Sequence, residues 1–336
     1  MSNSFFWFKK IISVLTFSRL FNAVAIYYSY FFSIVFHKYF LKGNPISISI
    51  EPTTSCNLSC PECPSGLKKF SRKTGSINDS TIENIIRKFA KHLMYVTFYF
   101  QGEPLLHPKF VDYVKRLKRE KLIISTSTNA HFLTDENSEP IIKSGLDRLI
   151  ISLDGTDSET YLKYRKGGDF NLVINNISAF IGKRRALKSK SPFVELQFIV
   201  LKHNEHQINE IKALGKTLGV DSVSIKTAQL YEFEDGNNLM PGLVKYSRYK
   251  KQDDGKYRIK SSLPNKCFRS WSANVITWDG NVVPCCFDKD ADYVFGNINS
   301  EEYCNINNSN KYTNFRKQIL SDRAKIDICR NCTEGL

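Results

Sequence analysis

The sequence predicts an α/β fold: a partial (β/α)6 barrel of the TIM type, followed by a small C-terminal unit made of a β-hairpin and a helix. Two observations support this. Between residues 46 and 230, six short apolar segments alternate with helical patterns, which is typical of a parallel sheet covered by helices. Beyond residue 262 the alternation stops and a hairpin pattern follows. Periodicity alone leaves an open, doubly wound sheet as the alternative.

The individual elements follow from local patterns. The strand candidates are 46–51, 95–100, 122–128, 148–154, 193–201 and 220–227, and helical periodicity occupies 80–93, 108–119, 134–144, 171–184 and 206–218. Ser80 and Glu83 have the spacing of a capping box for the first of these helices. Asp279-Gly280 predicts a type I′ turn in the hairpin at 275–284. Residues 231–262 are polar and predict a linker or cover, and 263–336 form the C-terminal unit.

Residues 1–45 differ from the rest of the chain. They are rich in Phe and Tyr, contain Lys and no acidic residue, and carry no charge between Arg19 and His37. The pattern predicts helices that either pack on the following domain or lie in the headgroup region of a membrane. Asn22, Ser29 and Ser33 interrupt the apolar run, so a membrane-spanning helix is the least favoured interpretation.

Composition narrows the functional class. The formal net charge of +15 favours anionic partners without choosing among them. Nine cysteines, an odd number in unevenly spaced groups, favour metal or cluster ligation over a disulfide framework. We therefore expect a cytoplasmic protein, with membrane association through residues 1–45 as a further option.

One cysteine group follows closely after the first strand. Cys56, Cys60 and Cys63 have C-x3-C-x2-C spacing, and three thiolates on one short loop can hold three irons of a cubane cluster. Without a fourth cysteine nearby, one iron would remain open to an external ligand, as in catalytic metal sites. A zinc site that uses these cysteines and another ligand is the alternative.

This loop resembles the motif of the radical S-adenosylmethionine (SAM) superfamily. The stretch EPTTSCNLSCPECPSG resembles members that carry a C-terminal SPASM or twitch domain. The resemblance implies a [4Fe–4S] cluster whose open iron binds the amino and carboxylate groups of SAM. It also implies cleavage of SAM to a 5′-deoxyadenosyl radical that abstracts hydrogen from a substrate.

The resemblance also implies which residues contact SAM. Gln101-Gly102-Glu103-Pro104 is similar to the family's Gly-Gly-Glu motif, with Gln101 in place of the first glycine. Polar residues that end the third and fourth strands, together with one arginine, correspond to contacts with the ribose and carboxylate: Ser127, Asn129, Ser152, Asp154 and Arg165. Each has a simpler interpretation as a turn, a strand end or a surface charge.

The remaining cysteines lie in the C-terminal part of the chain. Their layout resembles the twitch form of the SPASM domain, which implies an auxiliary [4Fe–4S] cluster on Cys267, Cys285, Cys329 and Cys332. Cys286 competes with Cys285 for its place, and Cys304 has no assigned role and is expected to be a buried or free thiol. A structural zinc ribbon on the same four cysteines is the alternative.

The resemblance leads to three functional hypotheses. The first is a SAM-dependent oxidoreductase that acts on a small or membrane-associated substrate, with a reductant such as flavodoxin or ferredoxin and no nucleic-acid partner. The second is an enzyme that modifies ribosomal peptides, and the third is a non-catalytic protein on the same scaffold. No catalytic acid or base is assigned, although five residues near strand ends could face the substrate: Tyr99, His107, Lys226, Gln229 and Tyr231.

Overall fold

The computed structural model describes residues 3–333, with side chains from residue 7 onward. The ends of the predicted N-terminal and C-terminal parts, 1–2 and 334–336, lie outside the described residues. The strands are β1 (Ser47–Ile50), β2 (Tyr95–Thr97), β3 (Ile123–Thr128), β4 (Arg148–Ser152), β5 (Phe193–Val200), β6 (Ser222–Thr227), β7 (Tyr249–Lys251), β8 (Tyr257–Ile259), β9 (Ala273–Ile276), β10 (Asn281–Val283) and β11 (Gly296–Asn297). The helices are α1 (Asn3–Val14), α2 (Phe17–Val35), α3 (Pro64–Leu67), α4 (Asp79–Phe89), α5 (Phe110–Arg119), α6 (Asp135–Lys143), α7 (Ser158–Tyr164), α8 (Phe170–Ala186), α9 (Ile208–Leu218), α10 (Arg269–Ser272), α11 (Tyr303–Asn307) and α12 (Asn310–Asp322).

Strands β1 to β6 are parallel and lie side by side in chain order. A doubly wound sheet reverses its strand order at a switch point, and no reversal occurs here. The predicted α/β fold with a mostly parallel, barrel-type sheet is therefore confirmed. The apolar strand residues form the buried core against the helices, as Ile48, Val96 and Ile124 show.

The C-terminal hairpin extends this sheet. Strand β9 pairs in parallel with β1, and β10 and β11 follow in antiparallel order, which gives nine strands in all within the described residues. Because β10 runs antiparallel to β9, the hairpin returns the chain towards the amino end of β1, the strand that leads into the cysteine loop.

Two local predictions are wrong. Helix α4 is capped by Asn78, whose side chain accepts from the Thr81 amide, so Ser80 lies inside the helix. In the hairpin turn only Gly280 has a positive φ, +90°, whereas a type I′ turn requires positive φ at two residues. The amide of Gly280 donates to the carbonyl of Thr277, which fits a type I turn followed by a left-handed glycine.

Helices α1 and α2 pack against the end of the sheet at which the parallel strands begin. The Lys10 ammonium contacts Asp147, just before β4, and Arg19 contacts the backbone just before β3. Among the described residues no single helix is long and apolar enough to cross a membrane. Within residues 3–333, one pair of helices, α1 and α2, reaches the required length and composition when taken together, and the pair is bent by 111° at its junction.

Candidate functional site

The first cysteine group lies on the loop after β1, at the carboxyl end of the parallel strands. Cys60 is buried and Cys56 and Cys63 are half-buried, and all three belong to one apolar cluster with Leu58 and Tyr164. Burial raises the pKa of Cys56 to about 11 and also raises the pKa of Cys60. Since iron binds thiolates, the positive charge of the metal must overcome this cost of burial.

The spacing of these side chains bears on the zinc alternative. Among the described side chains, no three His, Cys, Asp or Glu groups are arranged to hold a single metal ion. A tetrahedral zinc site with bonds of about 2.3 Å places its sulfur atoms roughly 3.8 Å apart. A cubane, which has a separate iron under each thiolate, needs wider spacing than this. The zinc alternative therefore finds no single-metal site among the described side chains.

The segment after β2 packs tightly against the cysteine loop. Gly102 has φ +74°, and a Cβ atom on it would lie 2.2 Å from the Thr53 carbonyl oxygen. The Gly102 amide donates to the Ser65 hydroxyl (2.9 Å), and the Glu103 amide donates to the Ser55 carbonyl (2.7 Å). This position requires glycine, and it fixes the start of the cysteine loop to the end of β2.

The carboxylate of Glu103 accepts three hydrogen bonds from protein donors. One oxygen accepts from the Thr128 hydroxyl (2.7 Å) and the Leu105 amide (3.1 Å), and the other accepts from the Asn129 amide (2.8 Å). Burial raises the pKa of Glu103. The side chain therefore holds the end of β3 in place, while its contact with the amino group of SAM stays a prediction.

Asn129 links β3 to the cysteine loop. Its amide nitrogen donates to the Asn57 side chain (2.7 Å) and lies 3.9 Å from the Cys56 sulfur. Its oxygen accepts from Nδ1 of His131 (3.0 Å), whose Nε2 accepts from the Asp169 amide (2.9 Å). His131 is thus held with its proton on Nδ1, and burial lowers its pKa. Sequence reasoning missed His131 because its partner lies 38 residues away.

Asp154 and Arg165 form a buried ion pair beside the cysteine loop. The Arg165 Nε donates to the Asp154 carboxylate (2.6 Å), and its NH1 group lies 3.9 Å from the Cys60 sulfur. The side chain of Arg165 is only 13% exposed, so the alternative of a surface charge is wrong. Ser127 and Ser152 lie side by side at neighbouring strand ends, with hydroxyl oxygens 3.5 Å apart.

The C-terminal cysteines surround a second, small space. Four cysteines line it: Cys267, Cys285, Cys329 and Cys332. Cys286 lies outside this lining, and NH1 of Arg269 donates to its sulfur (3.5 Å). Cys304 is an exposed free thiol, so of the two expected states, buried or free, the second is the one observed. Burial raises the pKa of Cys329, and the fully buried cation of Arg323 opposes that rise. The sequence offered no signal for Arg323.

A larger cavity of about 760 Å³ is lined by sequence neighbours of both cysteine groups, and no cysteine is in its lining. We call it the substrate cavity, after the function proposed for it below. Pro61 and Glu62 of the cysteine loop line one side, and Phe287 and Ile328 line the other. Phe287 and Ile328 also line the space formed by the C-terminal cysteines, so the two spaces share a wall.

Of the five residues expected near the substrate, Gln229 and Tyr231 line this cavity. Tyr99, His107 and Lys226 are not in its lining. The ring of His107 instead bridges a loop: its Nε2 donates to the Ile77 carbonyl (2.9 Å).

Comparison with known proteins identifies the family. Residues 50–224 match the radical SAM superfamily, and residues 267–333 match an iron–sulfur cluster-binding domain of the SPASM type. The chain belongs to the radical SAM superfamily, and it is a member with a SPASM domain. Its cofactors are a SAM-binding [4Fe–4S] cluster, SAM and auxiliary iron–sulfur ligation in the C-terminal domain.

Individual relatives align over most of the chain. A tungsten-containing aldehyde ferredoxin oxidoreductase cofactor-modifying protein from Pyrococcus furiosus is 25% identical over 84% of this chain and 86% of its own. A SAM-dependent 2-deoxy-scyllo-inosamine dehydrogenase from Niallia circulans is 22% identical over 85% of this chain and 91% of its own. The structure of Streptococcus suis SuiB bound to precursor peptide SuiA superposes with a TM-score of 0.62 at 14% identity, covering 87% of this chain and 72% of SuiB.

Proposed function

We propose that this radical SAM enzyme is an oxidoreductase that removes hydrogen from a small polar substrate in the substrate cavity. The observation that carries the proposal is the shared wall of Phe287 and Ile328. These two residues line both the substrate cavity and the space formed by the C-terminal cysteines, so a single layer of side chains separates the two. An electron left on the substrate after hydrogen abstraction would therefore have an acceptor next to it.

The residues of the chain fit the two clusters. Cys56, Cys60 and Cys63 would hold the SAM-binding cluster, and Cys267, Cys285, Cys329 and Cys332 would hold the auxiliary cluster, with four thiolates and no open position. When bound and reduced by a flavodoxin or ferredoxin, the first cluster and SAM supply a 5′-deoxyadenosyl radical. Asn129 and Arg165 would position SAM, since each lies within 4 Å of a ligand sulfur.

The charges around the substrate cavity indicate the kind of substrate. The lining contains three cations and six carboxylates: Glu62, Glu232, Glu234, Asp290, Asp292 and Asp327. This excess of acid, in a protein of net charge +15, favours a substrate with hydroxyl or amine groups over an anionic one. The volume lies within the range of about 300–1,000 Å³ that is common for small-molecule sites.

Lys289 is the one cavity cation whose surroundings suggest a direct role. Its ammonium lies 4.8 Å from the centre of the Tyr231 ring, and no ion pair with a carboxylate is formed within the described residues. Burial lowers its pKa. We expect it to donate a hydrogen bond to a substrate oxygen.

The second candidate is modification of a peptide. SuiB, which shares the fold, has been solved with a precursor peptide, and the substrate cavity opens between loops that could admit a short extended segment. The acidic lining and the modest volume favour the small substrate.

The test uses anaerobically reconstituted enzyme with SAM and dithionite. The probe substrate is 2-deoxy-scyllo-inosamine, the compound named for the Niallia relative. We expect wild type to form 5′-deoxyadenosine and Cys60→Ala to form none, while Cys304→Ala, which alters an exposed cysteine outside both sites, behaves as wild type.

Oxidation of the probe, detected by mass spectrometry as the loss of two hydrogens, would support the proposed class of reaction. Lys289→Met should then raise KM for the probe at least tenfold. If fully loaded wild type forms no 5′-deoxyadenosine at all, the proposed activity is refuted. If 5′-deoxyadenosine forms and only peptides are converted, the second candidate replaces the first.

A further inference from the structure

Helix α2 has its polarity reversed relative to an ordinary surface helix. Its inward face carries Arg19, Asn22, Ser29 and Ser33 around Ile26, and all five are buried. Surface helices of globular proteins normally turn their apolar stripe towards the core and their polar side outwards.

The polar inward face fastens the helix to the protein. Arg19 donates to the carbonyl oxygens of Val14, Ala90, Glu120 and Lys121, at 2.7–3.0 Å. The other three bind the segment that returns from α2 to the sheet: Asn22 binds Asn44, Ser29 binds Lys42 and Ser33 binds Phe40. These bonds hold α2 in one orientation, so its outward face is a fixed feature of the fold.

That outward face is apolar. Fifteen of the 22 large hydrophobic side chains described as exposed lie between residues 8 and 40. Phe17 is 81% exposed and Phe21 is 68% exposed, with their rings stacked 6.3 Å apart, and Phe32 contacts Phe36 at 5.8 Å. We call this surface the aromatic face. An exposed apolar surface of this extent marks an interaction site in most soluble proteins.

The charges around the aromatic face indicate its partner. The first 50 residues contain no acidic residue. Lys38 and Lys42 are exposed at the end of the face and form no ion pair within the described residues. Aromatic side chains flanked by lysines match the interfacial region of a bilayer with anionic headgroups.

We propose that the aromatic face binds the surface of an anionic lipid bilayer, with α2 lying parallel to the membrane plane. Because its inward face is bonded to the protein, only the outward side chains enter the lipid.

The position of α2 also determines how the active site would be oriented relative to the membrane. Arg19 and Lys10 contact the chain just before β3 and β4, at the amino end of the parallel strands. The cysteine loop lies at the carboxyl end, roughly 20 Å away if β3 is taken as six residues of about 3.3 Å each. The bound enzyme would therefore face the aqueous phase with its active site, and the membrane would tether the enzyme without supplying substrate from the bilayer interior.

The test is co-sedimentation of the full-length, reconstituted protein with vesicles. We expect binding to vesicles of phosphatidylglycerol and phosphatidylcholine, and weaker binding to phosphatidylcholine alone. The double variant Phe17→Ser, Phe21→Ser should lose binding at least tenfold, and Lys38→Glu, Lys42→Glu should lose the preference for anionic vesicles. The matched control is Leu243→Ser, Val244→Ser, which removes exposed apolar side chains elsewhere in the sequence.

Two results would overturn the proposal. One is equal vesicle binding by wild type and the Phe17, Phe21 double variant. The other is a stable dimer in light scattering without vesicles that this variant dissociates, which would assign the face to a second copy of the chain. Formation of 5′-deoxyadenosine by the same variants should be unchanged, so this test is independent of the proposed reaction.

Discussion

Glu103 offers the sharpest test of how the fold supports the site. In Glu103→Gln, the amide oxygen can keep the bonds from the Thr128 hydroxyl and the Leu105 amide. The new NH2 group then faces the Asn129 amide, which is also a donor. The substitution thus removes one charge-assisted hydrogen bond and leaves a buried N–H group without an acceptor.

The magnitude follows from these contacts. A hydrogen bond to a charged group contributes about 1.5–3 kcal/mol, and an unsatisfied buried donor costs about 1–3 kcal/mol. Removing a buried charge offsets part of this loss, because burial already raises the pKa of Glu103. We expect the free energy of unfolding to fall by about 2–4 kcal/mol, and SAM binding to weaken because Asn129 loses its support.

Urea denaturation of the reconstituted protein measures the first effect, and isothermal titration with SAM measures the second. Glu83→Gln is the control, since the Glu83 side chain is 69% exposed and forms a surface ion pair with Arg116. It should change stability by at most about 0.5 kcal/mol. If Glu103→Gln weakens SAM binding and leaves stability within that limit, Glu103 acts only as a SAM ligand and our reasoning about β3 is wrong.

Two further predictions concern the C-terminal domain. Cys285→Ser should lose about half of the bound iron, one of two [4Fe–4S] clusters, whereas Cys286→Ser should keep it; equal losses measured by iron and sulfide analysis would contradict the assignment. Burial raises the pKa of Asp288 from 3.8 to about 6, so the folded state binds more protons than the unfolded state between those values. Stability is therefore lost as pH rises through this window, by up to about 3 kcal/mol. Asp288→Asn should remove this slope in urea denaturation between pH 4 and 6, and parallel profiles for the two proteins would refute it.

The sequence by itself determined the features that depend on short-range patterns. Strand and helix periodicity predicted the parallel sheet, and the spacing of Cys56, Cys60 and Cys63 indicated the family that the comparisons confirm. Each of these patterns is formed by residues that are only a few positions apart in the sequence. Both can therefore be recognised before the structure is known. Local sequence patterns predicted the helix cap and the hairpin turn less well. The cap at Asn78 and the turn at Gly280 depend on backbone angles that neighbouring contacts select.

Only the tertiary structure decided which distant residues meet. The pairing of β9 with β1 joins the C-terminal hairpin to the parallel sheet, and the bond from Asp169 to His131 spans 38 residues. The orientation of α2 belongs to this class too. Its composition allowed either face to point inwards, and Arg19 settled the choice through carbonyl groups as many as 102 residues away. Such contacts gain their free energy only when the chain is folded, and for that reason no pattern along the sequence reports them.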